Sequence, residues 1–197
     1  MNEIIRLANI SDSNSILLIY SPYIENTAVS FEIETPAIEE FADRISKISE
    51  KFPYLVYCVN GNIIAYAYAS KHAERAAYNY DVDLSIYVLP QYHGRHIATK
   101  LYSCLFEILK EQGFYNAYAS YTEPNIKSKC FHEKFGFSTV GTYHKVGYKF
   151  DKWHDLTCLE KNITDYNKKP KDVKNIKDLS PNFLSGIFGK YTITASL

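Results

Sequence analysis

The sequence predicts an α+β domain built on a mixed sheet, and two features of the chain carry that prediction. Apolar runs with strand composition alternate with amphipathic helical stripes in the order β-α-α-β-β-β-α-β-α-β-β. This order combines hairpins, which pair strands antiparallel, with a strand–helix–strand crossover, which pairs them parallel. The 197 residues, 46% hydrophobic and 22% charged, are enough for one globular domain with a tail.

Local signals set the boundaries of the elements. Ser11 or Asp12 is expected to cap the first helix, because a short side-chain oxygen accepts hydrogen bonds from free first-turn N–H groups. Asn60-Gly61 predicts a hairpin turn, and Gly113 ends the long helix of the crossover. The predicted strands are 3–8, 54–60, 62–70, 81–89, 115–121, 137–144 and 154–160, and the predicted helices begin near residue 13 and span 37–51, 94–112 and 125–135.

Net charge and cysteine spacing argue against several classes of protein. Equal numbers of basic and acidic residues, 22 of each, disfavour a nucleic-acid-coating protein and one held on anionic lipid by charge alone. We see no secretory signal and no run of about 18 apolar residues, so we expect no membrane span and a cytoplasmic location. The cysteines lack zinc-site spacing and lie in apolar runs, so we expect no metal and four buried free thiols, at Cys58, Cys104, Cys130 and Cys158.

The charge is unevenly distributed along the chain, although the net charge is zero. Residues 1–160 carry a net charge of −4, whereas the chain from Lys161 onward carries +4. We therefore expect a domain over 1–162, followed over 163–197 by a Lys-rich linker and an apolar C-terminal extension. The apolar end, with its β-prone YTITASL, is expected to dock on its own domain or on a partner subunit.

The most informative segment is SIYVLPQYHGRHIATKLY, residues 85–102. A strand stops at Pro90, a short polar turn with Gly94 follows, and a helix begins near Ile97. The N–H groups at a helix start lack partners and the helix dipole favours an anion, so this turn suits a phosphate. The alternative is an ordinary strand-to-helix turn.

This segment resembles the pyrophosphate loop of the GCN5-related N-acetyltransferases, in which a Gln/Arg-x-x-Gly-x-Gly/Ala turn holds the pyrophosphate of acetyl-CoA. Three further stretches resemble the phosphinothricin N-acetyltransferase branch: IYSPYIENTAVSFE (19–32), VDLSIYV (82–88) and FHEKFGFSTVGTYHKVGYKFDKWHDL (131–156). The resemblance covers roughly residues 3–162. It implies that family's acyl-CoA N-acyltransferase fold, acetyl-CoA as co-substrate, a small-molecule amine as acceptor, no metal and a homodimer.

The resemblance also implies which residues bind acetyl-CoA, although the turn departs from the motif at two positions. His93 stands where the motif has Gln or Arg, and His96 stands where it has Gly. A side chain at position 96 would crowd the pyrophosphate if the backbone there needs a positive φ, whereas an imidazolium or Arg95 would add a donor. We expect binding to be retained, with weakened or lost binding as the alternative. The implied set is Ile86, Tyr87, Val88, His93, Gly94, Arg95, His96, Ile97, Ala98, Thr99, Asn125 and Ser128.

Two residues are candidates for proton transfer. Asp83 stands where the branch has a Glu that acts as general base, and it is shorter by one methylene; the alternative is a solvated strand-edge Asp. His132 lies where related enzymes carry a Tyr or His near the thioester sulfur, although a lone His on a helix is more often structural. An N–H near Val88 would stabilise the oxyanion. Because no nucleophile motif is present, we expect direct attack by the amine.

The acceptor pocket is assigned by resemblance alone. Its implied residues are Phe31, Glu32, Arg75, Tyr78 and Lys149, with Trp153 nearby, and for each the alternative is a surface charge or a packing aromatic. An Arg suits a carboxylate or phosphinate, so the expected acceptor is a small amino acid or analogue such as phosphinothricin or methionine sulfoximine. A polyamine, an aminoglycoside or a protein N-terminus remains an alternative acceptor, and a non-catalytic acyl-CoA binding or sensing module an alternative function.

Overall fold

The computed structural model describes residues 2–167 and 169–192 and confirms the α+β fold with a mixed sheet. The strands are β1 (Glu3–Leu7), β2 (Tyr54–Val59), β3 (Asn62–Lys71), β4 (Asp81–Val88), β5 (Asn116–Thr122), β6 (Ser138–Lys149) and β7 (Lys152–Asn162). The helices are α1 (Ser13–Asn26), α2 (Ile38–Ile48), α3 (Ile97–Gln112), α4 (Ile126–Lys134) and α5 (Pro181–Lys190).

One seven-stranded sheet has the order β1-β2-β3-β4-β5-β7-β6. Its neighbours pair antiparallel except β4 and β5, which are parallel and are joined by the α3 crossover. Helix α3 covers one face, and α1 and α2 cover the other. Strand β4 divides accordingly, because Val82, Leu84 and Val88 pack toward α3 while Tyr87 packs toward α1 and α2.

The turn and helix-end signals have the predicted geometry, with one exception. Asn60 and Gly61 form the hairpin turn with φ of 49° and 85°, and Gly113 ends α3 with φ of 97°. Asp12 occupies the N-cap position of α1, but its side chain does not cap the helix. Its carboxylate instead accepts two hydrogen bonds from Arg6, at 2.6 and 2.8 Å. The ion pair therefore replaces the predicted cap.

The C-terminal segment packs against the same chain. Ile176 and Leu179 are buried in the core beneath α3, and Lys190 on α5 pairs with Glu107 on α3 at 2.6 Å. Helix α5 was not predicted, although the Ser180 hydroxyl caps it by accepting a hydrogen bond from the Phe183 N–H at 3.2 Å. Most of the predicted β-prone end, residues 193–197, lies outside the described residues.

The prediction for the cysteines was wrong for two of the four thiols. Cys58 and Cys104 are buried, but Cys130 is exposed and Cys158 is partly exposed; all four are free. Within residues 2–167 and 169–192, no helix has the length and apolar character that crossing a membrane requires. The same residues contain no group of three or more His, Cys, Asp and Glu side chains arranged to hold a metal.

Candidate active site

A gap opens in the sheet between β4 and β5. The two strands pair only at their amino-terminal ends, where Asp81–Asp83 lies beside Asn116–Tyr118. Beyond Asp83, β4 pairs with β3 alone and β5 pairs with β7 alone. Asp83 therefore stands at the vertex of a cleft that widens toward the carboxyl ends of two parallel strands, where open α/β sheets bind their ligands.

The backbone of β4 lines one side of this cleft with polar groups. The Leu89 N–H donates to the Ile64 carbonyl on β3 at 2.9 Å, which fixes the alternation along the strand. Because successive residues of a strand face opposite neighbours, the amides of Leu84, Ile86 and Val88 are directed into the cleft. These groups suit an extended, amide-bearing chain such as the pantetheine of acetyl-CoA, and the Val88 N–H is the predicted oxyanion donor.

The turn after β4 has the backbone geometry of an anion site. Gly94 has φ of 77° and His96 has φ of 60°, so position 96 adopts the left-handed conformation that favours glycine. The first backbone hydrogen bond of α3 is donated by the Lys100 N–H to the His96 carbonyl at 3.0 Å. The preceding helical N–H groups, those of residues 97–99, are left to a ligand, which fits the predicted pyrophosphate.

The side chains of His93 and Arg95, both in this turn, make different contacts. His93 Nε2 lies 3.0 Å from the Val88 carbonyl and 3.2 Å from the Tyr23 hydroxyl, so this nitrogen fastens the turn to β4. The Arg95 guanidinium lies 5.0 Å from the ring centroid of Tyr92 and makes no hydrogen bond or ion pair with the described part of the chain. The predicted phosphate donor Arg95 therefore has its donors available to a ligand, whereas His93 has one nitrogen engaged in holding the backbone.

The second wall of the cleft begins where β5 ends. Asn125 caps α4, because its Oδ1 accepts a hydrogen bond from the Ser128 N–H at 3.0 Å. Its amide NH₂ makes no hydrogen bond to the residues that the structure describes. Since β4 and β5 are adjacent and parallel, the N-termini of α3 and α4 follow the same edge of the sheet. The residues predicted to bind acetyl-CoA therefore flank one cleft and fit that molecule.

Asp83 is held in a partly aromatic environment. Its side chain is 45% exposed, and its Oδ1 lies 2.9 Å from Nδ1 of His72. Partial burial raises the pKa of Asp83 above its ordinary value, and the nearby Asp81 carboxylate adds to this rise, while the hydrogen bond to His72 opposes it. The His72 ring stacks on Tyr118 with centroids 4.1 Å apart.

His72 is the functional residue that sequence reasoning missed. It directly follows β3, where the hairpin register pairs Ser70 with Asp83 and Lys71 with Val82, so His72 comes two positions after the cross-strand partner of Asp83. The sequence indicated that β3 and β4 follow one another, but it did not give the register of these two strands across the nine-residue loop 72–80. Tyr78 in this loop packs edge-on against His72, with centroids 6.2 Å apart.

His132 lies in a different environment, beneath α3. The residue is only 4% exposed. Its Nδ1 lies 2.9 Å from the Ser128 carbonyl, and its Nε2 lies 3.2 Å from the Tyr102 hydroxyl. Burial lowers the pKa of His132, so the ring is neutral, donates from Nδ1 and accepts at Nε2. Neither nitrogen is free to reach a thioester, which favours the structural alternative for this residue.

Lys149 supports the predicted acceptor loop rather than facing the acceptor. The residue is 5% exposed, and its ammonium donates to the carbonyls of Ile24, Ser30 and Glu32 at 2.6, 2.8 and 2.7 Å. These three bonds use all of its protons, so the prediction that it binds the acceptor directly does not match its geometry. A sequence alone does not show that a lysine will bond to backbone carbonyls, because that depends on the folding of distant segments.

The two predicted residues within this loop, Phe31 and Glu32, are also held by contacts with the rest of the chain. The Phe31 ring packs against Gly147 on β6 so closely that a Cβ at position 147 would lie 2.5 Å from a ring carbon. The Glu32 carboxylate accepts hydrogen bonds from Arg44 at 2.8 Å and from the Tyr20 hydroxyl at 3.1 Å. Glu32 is therefore engaged in an ion pair with Arg44, whereas the Phe31 ring packs the loop against β6.

Arg75 is the predicted acceptor residue that is most available. It is exposed and lies at the start of the single 3₁₀ turn Ala76–Tyr78 in the loop that carries His72. Within residues 2–167 and 169–192, its guanidinium makes no hydrogen bond or ion pair. A free guanidinium on the loop that leads into Asp83 suits a carboxylate on the acceptor.

Comparison with known proteins identifies the family. Residues 5–158 match the acetyltransferase (GNAT) domain family. A phosphinothricin N-acetyltransferase from Streptomyces viridochromogenes is 32% identical over 175 residues, which cover 89% of this chain and 95% of that protein. An L-methionine sulfoximine/L-methionine sulfone acetyltransferase from Pseudomonas aeruginosa is 28% identical over 175 residues, covering 86% and 100% of the two chains.

Solved structures agree with this match. A GNAT superfamily phosphinothricin acetyltransferase from Sinorhizobium meliloti, in complex with AcCoA, superimposes with a TM-score of 0.82 at 30% identity, covering 87% of this chain and 94% of that one. An N-acetyltransferase from Staphylococcus aureus Mu50 superimposes with a TM-score of 0.79 at 32% identity, covering 83% and 100%. The family match and these relatives show that the chain belongs to the GNAT acetyltransferase family.

Proposed function

We propose that this protein transfers the acetyl group of acetyl-CoA to the primary amine of a small amino acid or analogue, by direct attack in a ternary complex. The observation that carries the proposal is the position of Asp83 at the vertex of a cleft whose walls fit acetyl-CoA. The acceptor class is supported by relatives named for phosphinothricin and methionine sulfoximine, and by the unpartnered Arg75 on the adjacent loop.

Each wall of the cleft has a defined part in this proposal. The N–H groups of residues 97–99, with Arg95, bind the pyrophosphate, and the amides that β4 directs into the cleft bind the pantetheine. The Asn125 NH₂ adds a donor on the opposite wall. The Val88 N–H stabilises the negative charge that develops on the thioester oxygen during attack. The acetyl group supplied by acetyl-CoA is thereby held beside Asp83.

The acceptor must lose a proton before it can attack, and the Asp83 carboxylate takes part in that proton transfer. An α-amino group has a pKa near 8, so its neutral form costs only about 1.4 kcal/mol at pH 7, whereas a lysine-like amine costs roughly 4.6 kcal/mol. Modest help from a general base is therefore sufficient for an amino-acid acceptor. Because burial raises the pKa of Asp83, its carboxylate is a stronger base than an ordinary aspartate.

A second copy of the chain is the protein partner that we propose. Strand β6 forms the free edge of the sheet, and its hairpin with β7 exposes several large side chains: Tyr143, Val146, Tyr148, Phe150 and Trp153. An exposed aromatic edge strand of this kind is commonly covered by pairing with another chain. Sedimentation equilibrium tests the homodimer, which Tyr148→Lys is expected to dissociate. The cytoplasm remains the compartment that we predict.

Steady-state thiol release tests the proposed activity. The purified protein is given acetyl-CoA and a panel of amines led by phosphinothricin and methionine sulfoximine, with a polyamine and an aminoglycoside as alternative acceptors. We expect the two amino-acid analogues to release thiol well above background hydrolysis, and N-acetylated product to appear in equal amount. If no amine exceeds the background while calorimetry shows that acetyl-CoA binds, the protein is an acyl-CoA binding or sensing module instead.

A further inference from the structure

We propose that His72 extends Asp83 toward the acceptor, so that the imidazole Nε2 accepts the proton of the acceptor ammonium while Asp83 holds the ring by its Nδ1–H. This inference rests on the proposed function and assigns its proton acceptor. Asp83 then acts through His72 as a positioning residue and as a counter-charge.

The hydrogen bond between the two residues fixes the tautomer of His72. Nδ1 lies 2.9 Å from a carboxylate oxygen, which can only accept, so Nδ1 carries the proton. The lone pair is then on Nε2, which makes no hydrogen bond with the described residues. The His72 side chain is 31% exposed, so a ligand can reach part of the ring.

The ring is also held in a single orientation. One face of His72 stacks on Tyr118 with an interplanar angle of 18°, and its edge meets Tyr78. These contacts and the bond to Asp83 restrain the imidazole from three sides. A pre-oriented base needs little reorganisation during proton transfer, which is the arrangement by which an aspartate orients a catalytic histidine in hydrolases.

The short side chain of Asp83 gives a reason for an imidazole between its carboxylate and the acceptor. The Asp83 carboxylate ends one methylene, about 1.5 Å, shorter than a Glu carboxylate would at the same position. An imidazole bonded to the shorter carboxylate restores the reach. The sequence places the free Arg75 only three positions after His72, so the loop that carries the base also carries the group suited to the acceptor's carboxylate.

The surroundings of the ring are partly acidic and partly aromatic. The Asp83 carboxylate on β4 bonds to the ring, while Tyr118 on β5 and Tyr78 on the loop present aromatic surfaces. Asp83 is therefore in place as the counter-charge when the ring takes up a proton.

The proton and electron balance of the step is complete. An N–H bond of the ammonium breaks and the Nε2–H bond of His72 forms, which leaves an electron pair on the amine. That pair forms the C–N bond at the thioester carbonyl, and the C–S bond breaks with its electrons on sulfur. The remaining excess proton on nitrogen goes to the thiolate, and His72 returns its proton to water.

Replacement of His72 by Phe, which keeps the stacking on Tyr118, tests the proposal. Loss of a general base typically costs 10²–10⁴-fold in rate, and we expect kcat of His72→Phe to fall about 100-fold with an unchanged Kd for acetyl-CoA. The matched control is His144→Phe, because His144 Nδ1 also lies 2.9 Å from an aspartate, Asp155, but on the exposed β6–β7 hairpin. The control should keep its kcat.

Two further readouts separate this role from a structural one. In the double variant His72→Phe with Asp83→Glu, the longer carboxylate takes the place of the ring, and we expect kcat to recover at least tenfold from the single variant. In wild-type protein, ¹⁵N NMR at pH 8 should show His72 protonated at Nδ1. A kcat of His72→Phe within twofold of wild type, no recovery in the folded double variant, or an Nε2–H tautomer would each overturn the proposal.

The proposed function and this inference fail in different ways. If wild-type protein acetylates no amine, the proposed function fails. If wild-type protein acetylates an amino-acid analogue and His72→Phe does so equally well, the function stands and the role of His72 is rejected.

Discussion

The region beneath α3 and the region beside Asp83 each contain a histidine, and the two rings have opposite surroundings. His132 is enclosed by aromatic side chains and has both nitrogens bonded, to Ser128 and Tyr102. His72 has one nitrogen bonded to Asp83, and its other nitrogen has no hydrogen-bond partner among residues 2–167 and 169–192. The difference teaches that satisfied nitrogens mark a histidine of the core, whereas an unsatisfied, accessible nitrogen next to a carboxylate marks one that can move a proton.

The largest expected effect is on kcat, when the carboxylate at the vertex of the cleft is removed. We expect Asp83→Ala to lower kcat by about 10²–10³-fold, because His72 loses the carboxylate that orients its ring and balances its charge during proton transfer. The KM for acetyl-CoA should change much less, since the walls of the cleft remain. Steady-state thiol release measures both constants. Asp155→Ala is the control from the exposed hairpin, and unchanged kcat in Asp83→Ala would remove Asp83 from the mechanism.

The converse expectation holds for His132. In His132→Phe the aromatic packing is retained, but the buried Tyr102 hydroxyl and the Ser128 carbonyl lose a partner, which should cost about 2 kcal/mol of unfolding free energy. Urea denaturation followed by circular dichroism measures this cost, and kcat should stay within a factor of about two. A stable variant with kcat reduced 100-fold would instead support the prediction that His132 acts at the thioester.

The pH dependence of stability sharpens the same contrast. Burial lowers the pKa of His132 in the folded protein below the ordinary value of 6.5, so the unfolded chain takes up a proton at a higher pH than the folded one. The contribution of the neutral ring is therefore complete above pH 6.5 and declines as the pH falls through that value. We expect unfolding free energy to fall less between pH 7.5 and 5.5 in His132→Phe than in wild type; an equal fall would contradict this assignment.

A smaller effect is expected from the predicted acceptor loop, which contains Phe31 and Glu32. Lys149→Met removes the three hydrogen bonds that hold the loop of Phe31 and Glu32, so the KM for the acceptor should rise about tenfold, roughly 1.4 kcal/mol. The Kd for acetyl-CoA should remain unchanged. Lys152→Met, on the exposed start of β7, provides the control. If both variants keep the wild-type KM, the loop does not form the acceptor site.

The smallest effect is expected at Arg75. An exposed charge pair with the acceptor's carboxylate is worth up to about 1 kcal/mol, so Arg75→Ala should raise the acceptor KM about fivefold. The rise should shrink at high ionic strength and vanish for an amine without a carboxylate. An equal rise for both kinds of amine would show that Arg75 acts on the loop rather than on the acceptor.

Features fixed by local sequence could be predicted without the structure. The turn that contains Gly94, the end of α3 at Gly113 and the hairpin at Asn60-Gly61 each depend on a few adjacent residues, whose backbone preferences are strong. The position of Asp83 followed from its resemblance to a family motif. These signals were sufficient to predict a turn suited to a phosphate and to name Asp83 as a candidate base.

Features that depend on distant contacts could not be predicted. The bond from His72 to Asp83 crosses a hairpin, and the anchoring of Lys149 relies on carbonyls of residues more than 100 positions away. Burial decided the interpretation of His132, and a single sequence does not show which face of α4 is covered. Tertiary contacts therefore determined which of the candidate side chains are free to react.

The most direct test of the account is kcat measured side by side for Asp83→Ala and His132→Phe at saturating acetyl-CoA and acceptor. The account predicts that Asp83→Ala is at least 100-fold slower than wild type, whereas His132→Phe stays within about twofold. The reverse pattern, with a slow His132→Phe and an active Asp83→Ala, would contradict the assignment of proton transfer to the cleft between β4 and β5.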